Sequence, residues 1–472
     1  MNDRDIDALR RWDERIGDLV ESYGLDCAPQ EFEICDHAEM LGYMAYSGMP
    51  SHYPHWSYGK AYEKQKTLYD HGFTGLPYEM VINSDPSLAY LMTDNSLCLN
   101  VLTMAHVYGH NDFFRNNHTF SATRPEYTLS SFKSHADRIR SYIEDPSIGI
   151  KRVEQVVDAA HALSFQCRRN LSIRKQDEEE LTRRTFESSI PRRDPHQSIH
   201  VRPEFVEPDL QKVPLEPEAD ILLFIQDYNP YLAQWQKDIL TIVHEEAQYF
   251  IPQIETKIMN EGWASYWHYH IVASLELPEE LRLEFLVHHN QVLRPHPGGL
   301  NPYHVGFKIW NAIYEAEEGD GPADHSRRGG GHTALFLARS SERDSSFLRR
   351  FLDQNTMRDL GLFTYGRKGT DTVVTEVADE AGWENIKETL IRNVGMNSIP
   401  VIRVIDGDYQ GSRSLFLEHE YEDRELDLEQ AKRTLAYTHD LWGRAVFLKT
   451  VVGGKPTLLS FDDEGFARKA LD

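Results

Sequence analysis

The residues best able to do chemistry in this 472-residue chain are histidines and acidic groups set at helical spacing. His106 and His110 stand four apart in His106-Val107-Tyr108-Gly109-His110, shortly after the helix-start signal Asp94-Asn95-Ser96. On a helix that spacing puts both imidazoles on one face a turn apart, so that two ring nitrogens can meet one metal ion. In VEQVVDAAHAL, Glu154, Asp158 and His161 fall at i, i+4 and i+7, within about 60° of one another around a helix. That stripe reads as the solvated side of an amphipathic helix or as a carboxylate-histidine ligand set, since Asp158 and His161 have the i, i+3 spacing of helical metal proteins. The richest string is TIVHEEAQYFIPQIETKIMNEGWASYWHYHI, residues 241–271. There His244-Glu245 sits among Ile242, Val243, Ala247, Tyr249 and Phe250, and Glu261 and His268, seven apart, share a helix face. A carboxylate and an imidazole in such apolar company are costly unless neutralised, hydrogen-bonded or metal-bound.

His-Glu followed by Asn-Glu-Gly-x-Ala resembles the gluzincin metalloproteases, in which HExxH supplies two histidines and a general base and a later glutamate supplies the third ligand. Here the second histidine position is Gln248, and the interval from His244 to Glu261 is shorter than usual. A standard zincin site is therefore not expected, and a histidine from another helix, His106 or His110, would replace the missing ligand. On this reading Glu245 is the general base, and His106, His110, His244, Glu261 and His268 are ligands. Glu154, Asp158, His161 and His135, the last in SFKSHADRIRSY, stand behind these ligands or hold a second metal. His52, His55 and Trp56, in SHYPHWSYGK, line a pocket mouth or plug a core. A ligand set made only of nitrogen and oxygen suits divalent Zn, Fe or Mn without choosing among them.

The elements that must position these groups are mainly helices. Helical spacing dominates to about residue 165, interrupted by an aromatic-rich loop over 48–60. It resumes over 231–277, where Pro252 is expected to break the pattern into two helices, because its ring cannot sit in a helix interior. A further helix is expected near 303–317. After Leu362 the pattern alternates strands with helices: LFTYG, TVVTEV, IPVIRVID, SLFLEHEY, AVFLKTVV and KPTLLSFD are strand-like, and WENIKETLIRN and LEQAKRTLAYTHDLW are helical. The expected fold is a mainly α N-terminal domain, residues 1–355, holding a zincin-like or helical-bundle metal site. A small α+β C-terminal domain, residues 356–472, follows, and 168–220 and 318–343 read as surface excursions.

Composition narrows the function classes. Acidic residues outnumber basic ones 75 to 50, for a net charge of −25, and no long basic stripe with interleaved aromatics is present, so nucleic acid is not an expected partner. No apolar run approaches the roughly 18 to 20 residues that span a bilayer. The charged N-terminus is not expected to be a signal peptide, and the four cysteines have no CxxC spacing, so reduced thiols in a cytoplasmic protein are expected.

Four longer strings, YMAYSGMPSHYPHWSYGK (43–60), HVYGHNDFFRNN (106–117), PQIETKIMNEGWASYWH (252–268) and LNPYHVGFKIW (300–310), resemble the stage V sporulation protein R (SpoVR) family, and the likeness extends over nearly the whole chain. The resemblance implies a cytoplasmic protein associated with sporulation and assembly of the spore cortex, or with stress response, often encoded beside a PrkA-type serine protein kinase. It names no chemistry. Two functions from different classes remain: a metal-dependent hydrolase acting on an amide or peptide bond, such as one in a peptidoglycan precursor, with Glu245 as base; or a non-catalytic adaptor in the PrkA-type kinase pathway, the same residues forming a polar core or a structural metal site.

Overall fold

Two helices that are apolar on nearly every side dictate where the main core lies. A computed structural model of the chain describes residues 3–70, 79–169, 183, 217–295, 299–318, 331–368, 371–377 and 382–471. They fall into two units, one of Met1–Arg138 with Phe250–Ser398 and one of Ile139–Tyr249 with Ile399–Asp472. The two apolar helices, Leu97–Asn116 and Lys257–Ser274, belong to the first unit and pack on each other. We refer to them as the histidine helix and the glutamate helix.

The histidine helix starts where the sequence signals it. The Ser96 side chain accepts the Leu99 backbone N–H at 3.1 Å, satisfying one of the donors a helix start leaves open. The glutamate helix buries Trp263, Tyr266 and Trp267 completely. Its first turn is capped from outside: Asp344, at the start of helix Asp344–Phe351, accepts the N–H groups of Ile258 and Met259, each at 2.9 Å. The glutamate helix also packs on helix Pro302–Glu318.

Both contacts are made at glycine. A Cβ on Gly109 would lie 2.6 Å from the Ala264 Cα, and a Cβ on Gly262 would overlap the backbone of Gly306. The amphipathic helix Asp3–Ser22 covers this core with Leu9, Ile16 and Val20, and helix Gly331–Ser341 adds Leu335 and Ala338.

Three differences from the sequence expectation have physical reasons. First, a three-stranded sheet interrupts the helices: Ser87–Met92 lies between Gln30–Cys35, its parallel neighbour, and Met80–Ile82, its antiparallel one. Ser87–Met92 is buried along its whole length, and a short buried apolar run cannot be told from a helix by periodicity. Second, Pro252 does not break its helix. Helix Gln234–Glu255 runs through it, and the break comes at Thr256, whose hydroxyl donates to the Pro252 carbonyl at 2.7 Å. Third, the aromatic loop is shorter than 48–60, because helix Trp56–Asp70 already begins at Trp56. Of the two expected excursions, 170–216 apart from 183, and 319–330, lie outside the described residues.

In the second unit a five-stranded sheet has the order Gly465–Ala470, Lys455–Asp462, Val446–Val452, Ser414–His419, Ile402–Tyr409. All neighbours are antiparallel except Ser414–His419 with Val446–Val452, which are parallel and joined by helix Leu428–Trp442. Gly453 and Gly454, at φ +60° and +72°, make the two-residue turn between Val446–Val452 and Lys455–Asp462, a backbone shape that favours glycine at both positions. The expected α+β grammar of IPVIRVID through KPTLLSFD is thus observed. Helix Leu428–Trp442 packs on Ile150–Leu163. No described helix is long and apolar enough to cross a membrane.

The glycine contacts generate a stability prediction. Gly262→Ala should lower stability by about 3 kcal/mol, because the new methyl group meets main chain that cannot rotate away. Gly59→Ala, in helix Trp56–Asp70 with nothing within 4 Å of a new Cβ, should instead be neutral or stabilising by up to about 1 kcal/mol. Thermal or urea unfolding of the two variants checks this, and equal stability of both would show that the helices do not need glycine to approach.

Candidate metal centre

The histidine helix presents His106 and His110 one turn apart, and the glutamate helix presents Glu261 next to Gly262, the point of closest approach to helix Pro302–Glu318. A fourth group, Glu79, comes from the residue just before strand Met80–Ile82. Among the described residues, Glu79, His106, His110 and Glu261 can each offer a ligand atom such that all four lie within 4.8 Å of one another. His106 Nε2 is 3.3 Å from Glu79 Oε1 and 4.0 Å from Glu261 Oε2. His110 Nε2 is 3.5 Å from Glu261 Oε2 and 4.0 Å from Glu79 Oε1. Corners of a tetrahedron with bonds of about 2.0 Å are about 3.3 Å apart, so these separations fit a shared divalent ion with little adjustment.

Each imidazole is held from behind. His110 Nδ1 lies 2.8 Å from Asn260 Oδ1. An amide oxygen only accepts, so Nδ1 carries a proton and Nε2 is the ring nitrogen that faces the carboxyl groups. His106 Nδ1 lies 2.8 Å from His268 Nδ1, and His268 Nε2 lies 2.8 Å from His289 Nδ1, on helix Glu279–Val292. The Tyr303 hydroxyl approaches Glu79 Oε1 at 3.5 Å.

Burial governs the electrostatics. It holds His106 well below the usual imidazole range, helped by repulsion from His110 and His289. Burial does the same to His268, with His106 and His289 adding to it, and takes His289 down to about 4. Burial raises Glu261 above the usual carboxyl range, and the Glu79 carboxylate adds to the rise, while His110, Lys257 and Tyr303 oppose it. The buried Glu261 Oε2 accepts no hydrogen bond from the described residues. Two imidazoles and two carboxyl groups, one with an unsatisfied buried oxygen, are a donor set that suits a divalent cation.

The other residues singled out in the sequence lie elsewhere. His268 does not join the four-ligand group and stands behind His106 instead. His244 belongs to the second unit, where its Nε2 is 2.7 Å from Asp220 Oδ2. Glu245 is exposed on the same helix, and its neighbour Glu246 is the buried one. Periodicity misleads here because His244 and Glu245 point 100° apart around the helix. Glu154, Asp158 and His161 are half-buried on helix Ile150–Leu163, also in the second unit. His135 is buried beside Phe132. His52 and His55 are buried too, His52 Nε2 lying 3.1 Å from the Tyr58 hydroxyl and His55 Nδ1 2.7 Å from Ser57 Oγ. Trp56 is exposed. Sequence reasoning missed Glu79, Asn260, His289 and Tyr303. Asn260 and Tyr303 lie inside the conspicuous strings MNEGW and NPYHVGF, whereas Glu79 has no spacing partner.

Comparison with known proteins adds the family. The model described as SpoVR like protein matches residues 3–399, and that described as SpoVR-like C-terminal domain matches 400–453. The uncharacterized protein YcgB of Escherichia coli (strain K12) is 31% identical over 481 residues, covering 94% of this chain and 92% of that protein. No solved structure matches. Matches that run from residue 3 to residue 453, and thus take in the histidine pair and three strands of the five-stranded sheet, establish that the chain belongs to the SpoVR family.

Proposed function

We propose that His106, His110 and Glu261 bind one divalent metal ion, Zn, Fe or Mn, with Glu79 beside it, and that the cluster serves hydrolysis of an amide or peptide bond in a cytoplasmic protein. The observation that carries this reading is the meeting of two imidazole nitrogens and two carboxylate oxygens within 4.8 Å of one another in the interior. His106, His110 and Glu261 make up the two-histidine, one-glutamate set of open catalytic zinc sites. When bound, such an ion supplies Lewis acidity and lowers the pKa of water from about 16 to about 7.

The chain's own groups do the remaining work. His106 and His110 bind through Nε2 and keep their orientation through His268 and Asn260. Glu79 is left to take a proton from the attacking water, the role that sequence alone gives to Glu245. The Tyr303 hydroxyl lies 3.5 Å from Glu79 Oε1. A cell-wall precursor amide is the substrate that joins this chemistry to the cortex association implied by the SpoVR resemblance.

One distance also favours a second reading. At 3.3 Å, His106 Nε2 and Glu79 Oε1 are near enough for a direct contact in a metal-free polar core, as the adaptor of a PrkA-type kinase pathway would have.

Metal quantification separates the two. The wild-type chain should retain about one ion per molecule, and His110→Ala should release it. Glu79→Gln should keep the ion and the fold while hydrolysis of muropeptide amides falls by about 100-fold or more, the scale of a lost acid or base. Wild-type protein that takes up no Zn, Fe or Mn supports the adaptor reading, and full activity in Glu79→Gln removes that carboxylate from the mechanism.

The metal-free protein should also show an acid-stability signature. His289 is at about 4 in the folded chain and near 6.5 when unfolded. Between these values the unfolded chain binds a proton that the folded chain refuses, so stability falls as pH falls from about 6.5 to 4, by up to about 3 kcal/mol. His289→Gln, which does not titrate, should flatten that part of the curve in urea unfolding followed against pH. An unchanged slope would show that His289 is not held neutral by burial.

A further inference from the structure

We propose that His268 and His289 are positioning residues of the metal site, forming with His106 a hydrogen-bond chain whose direction is set by the ion. The inference rests on the metal-centre reading above. Its geometric basis is two contacts in series, His106 Nδ1 to His268 Nδ1 and His268 Nε2 to His289 Nδ1, both 2.8 Å and both between buried rings.

A neutral imidazole has one N–H and one lone pair, so each contact can hold one proton and the three rings are not independent. Once His106 Nε2 gives its lone pair to a cation, its proton must be on Nδ1. His268 Nδ1 must then accept, which places the His268 proton on Nε2. His289 Nδ1 accepts that one in turn, and its own proton is on Nε2. Every ring stays neutral, and one bond at the cluster determines the tautomer of a ring two contacts away. Burial depresses the proton affinity of all three rings, which keeps the chain in this uncharged form.

The opposite direction belongs to a different chemistry. If His106 carried its proton on Nε2, aimed at Glu79 Oε1, Nδ1 would be the acceptor, His268 would donate from Nδ1, and His289 would donate to His268. That tautomer of His106 has no lone pair for a metal. Whatever favours the outward direction therefore favours the metal-binding form. His289 Nδ1 offers the acceptor that this direction needs, and it lies on helix Glu279–Val292, which supplies none of the four residues of the cluster.

Shape and hydrogen bonding can be separated at this position. His289→Phe keeps a ring but removes the acceptor, leaving the His268 N–H with nothing to bind. His289→Gln restores an acceptor oxygen without a ring. Zn(II) affinity, measured by chelator competition on the full chain, should fall 10- to 100-fold in His289→Phe, the usual effect of losing a group behind a ligand, and should stay within about threefold of wild type in His289→Gln. Histidine 15N spectra of the Zn(II)-loaded wild type should show His106 protonated at Nδ1 and His268 at Nε2. Circular dichroism and thermal melting show whether each variant is folded, and the 15N tautomers decide the matter without any variant.

The outcomes are distinct. Wild-type chain that binds no Zn(II) overturns the metal-centre reading and this inference together. Zn(II) binding that is equally tight in His289→Phe, or a Zn(II)-loaded His268 protonated at Nδ1, overturns the positioning chain and leaves the metal site standing. Weakening in His289→Gln as large as in His289→Phe overturns it as well, because it makes the ring's packing the cause.

Discussion

Backbone approach at glycine is the constraint on which the candidate site depends. Helices packed through ordinary side chains keep their axes 8–10 Å apart, a spacing that backbone contact shortens. Gly109 against Ala264, and Gly262 against Gly306, remove that spacing where it matters. Each contact has a chemical group beside it in sequence: His110 follows Gly109, Glu261 precedes Gly262, and Tyr303 lies one turn before Gly306. His110 Nε2 and Glu261 Oε2 reach 3.5 Å because the two helices meet there.

The same helices bury other charges, and the way these are compensated sets the cluster apart. Asp112, on the histidine helix, is completely buried. It accepts two hydrogen bonds from Arg339, at 2.6 and 2.8 Å, one from the Trp263 indole at 2.9 Å and one from the Asp26 backbone at 2.8 Å. Asp344 has the two N–H groups of the glutamate helix. A buried carboxylate with a cation or several donors is tolerated, and one without them is expensive. Among the described residues neither arginine nor lysine forms an ion pair with Glu261. The His106 and His110 imidazoles lie within 4.0 Å of its Oε2, and burial keeps the His106 ring from becoming a cation.

Much of this was legible in the sequence where local spacing carries the information. His106 and His110 are four apart on one helix, Ser96 announces its start, and the asparagine-glutamate-glycine string marks Glu261. The fold class followed from periodicity in the same way: helices around the core, and alternating strands and helices after Leu362. What did not follow were groups brought in by chain reversal. Glu79 enters from beside a three-residue strand too short to have a pattern, and His289 is one of two adjacent histidines on a helix whose exposed side carries Leu283 and Val287, so its buried side cannot be picked from hydropathy. His244-Glu245 has the chemical types of a metalloprotease string, but a dipeptide fixes only 100° of helix surface, and Glu245 faces out.

These environments determine how the cluster would exchange protons for metal. Ligand imidazoles must be neutral and ligand carboxyls ionised before a cation can bind. The interior has already met the first condition at His106, since burial holds that ring neutral at ordinary pH. It works against the second at Glu261, where burial and the nearby Glu79 carboxylate favour the protonated acid. A cation entering the cluster therefore competes with a proton on a carboxyl group and not with one on the His106 ring. It relieves the repulsion between Glu79 and Glu261, which a proton on one of them relieves when no cation is there. A divalent charge neutralises both carboxylates, whereas a single proton neutralises one. That difference gives the paired acids, more than the histidines, the larger part in selecting a divalent ion over a proton.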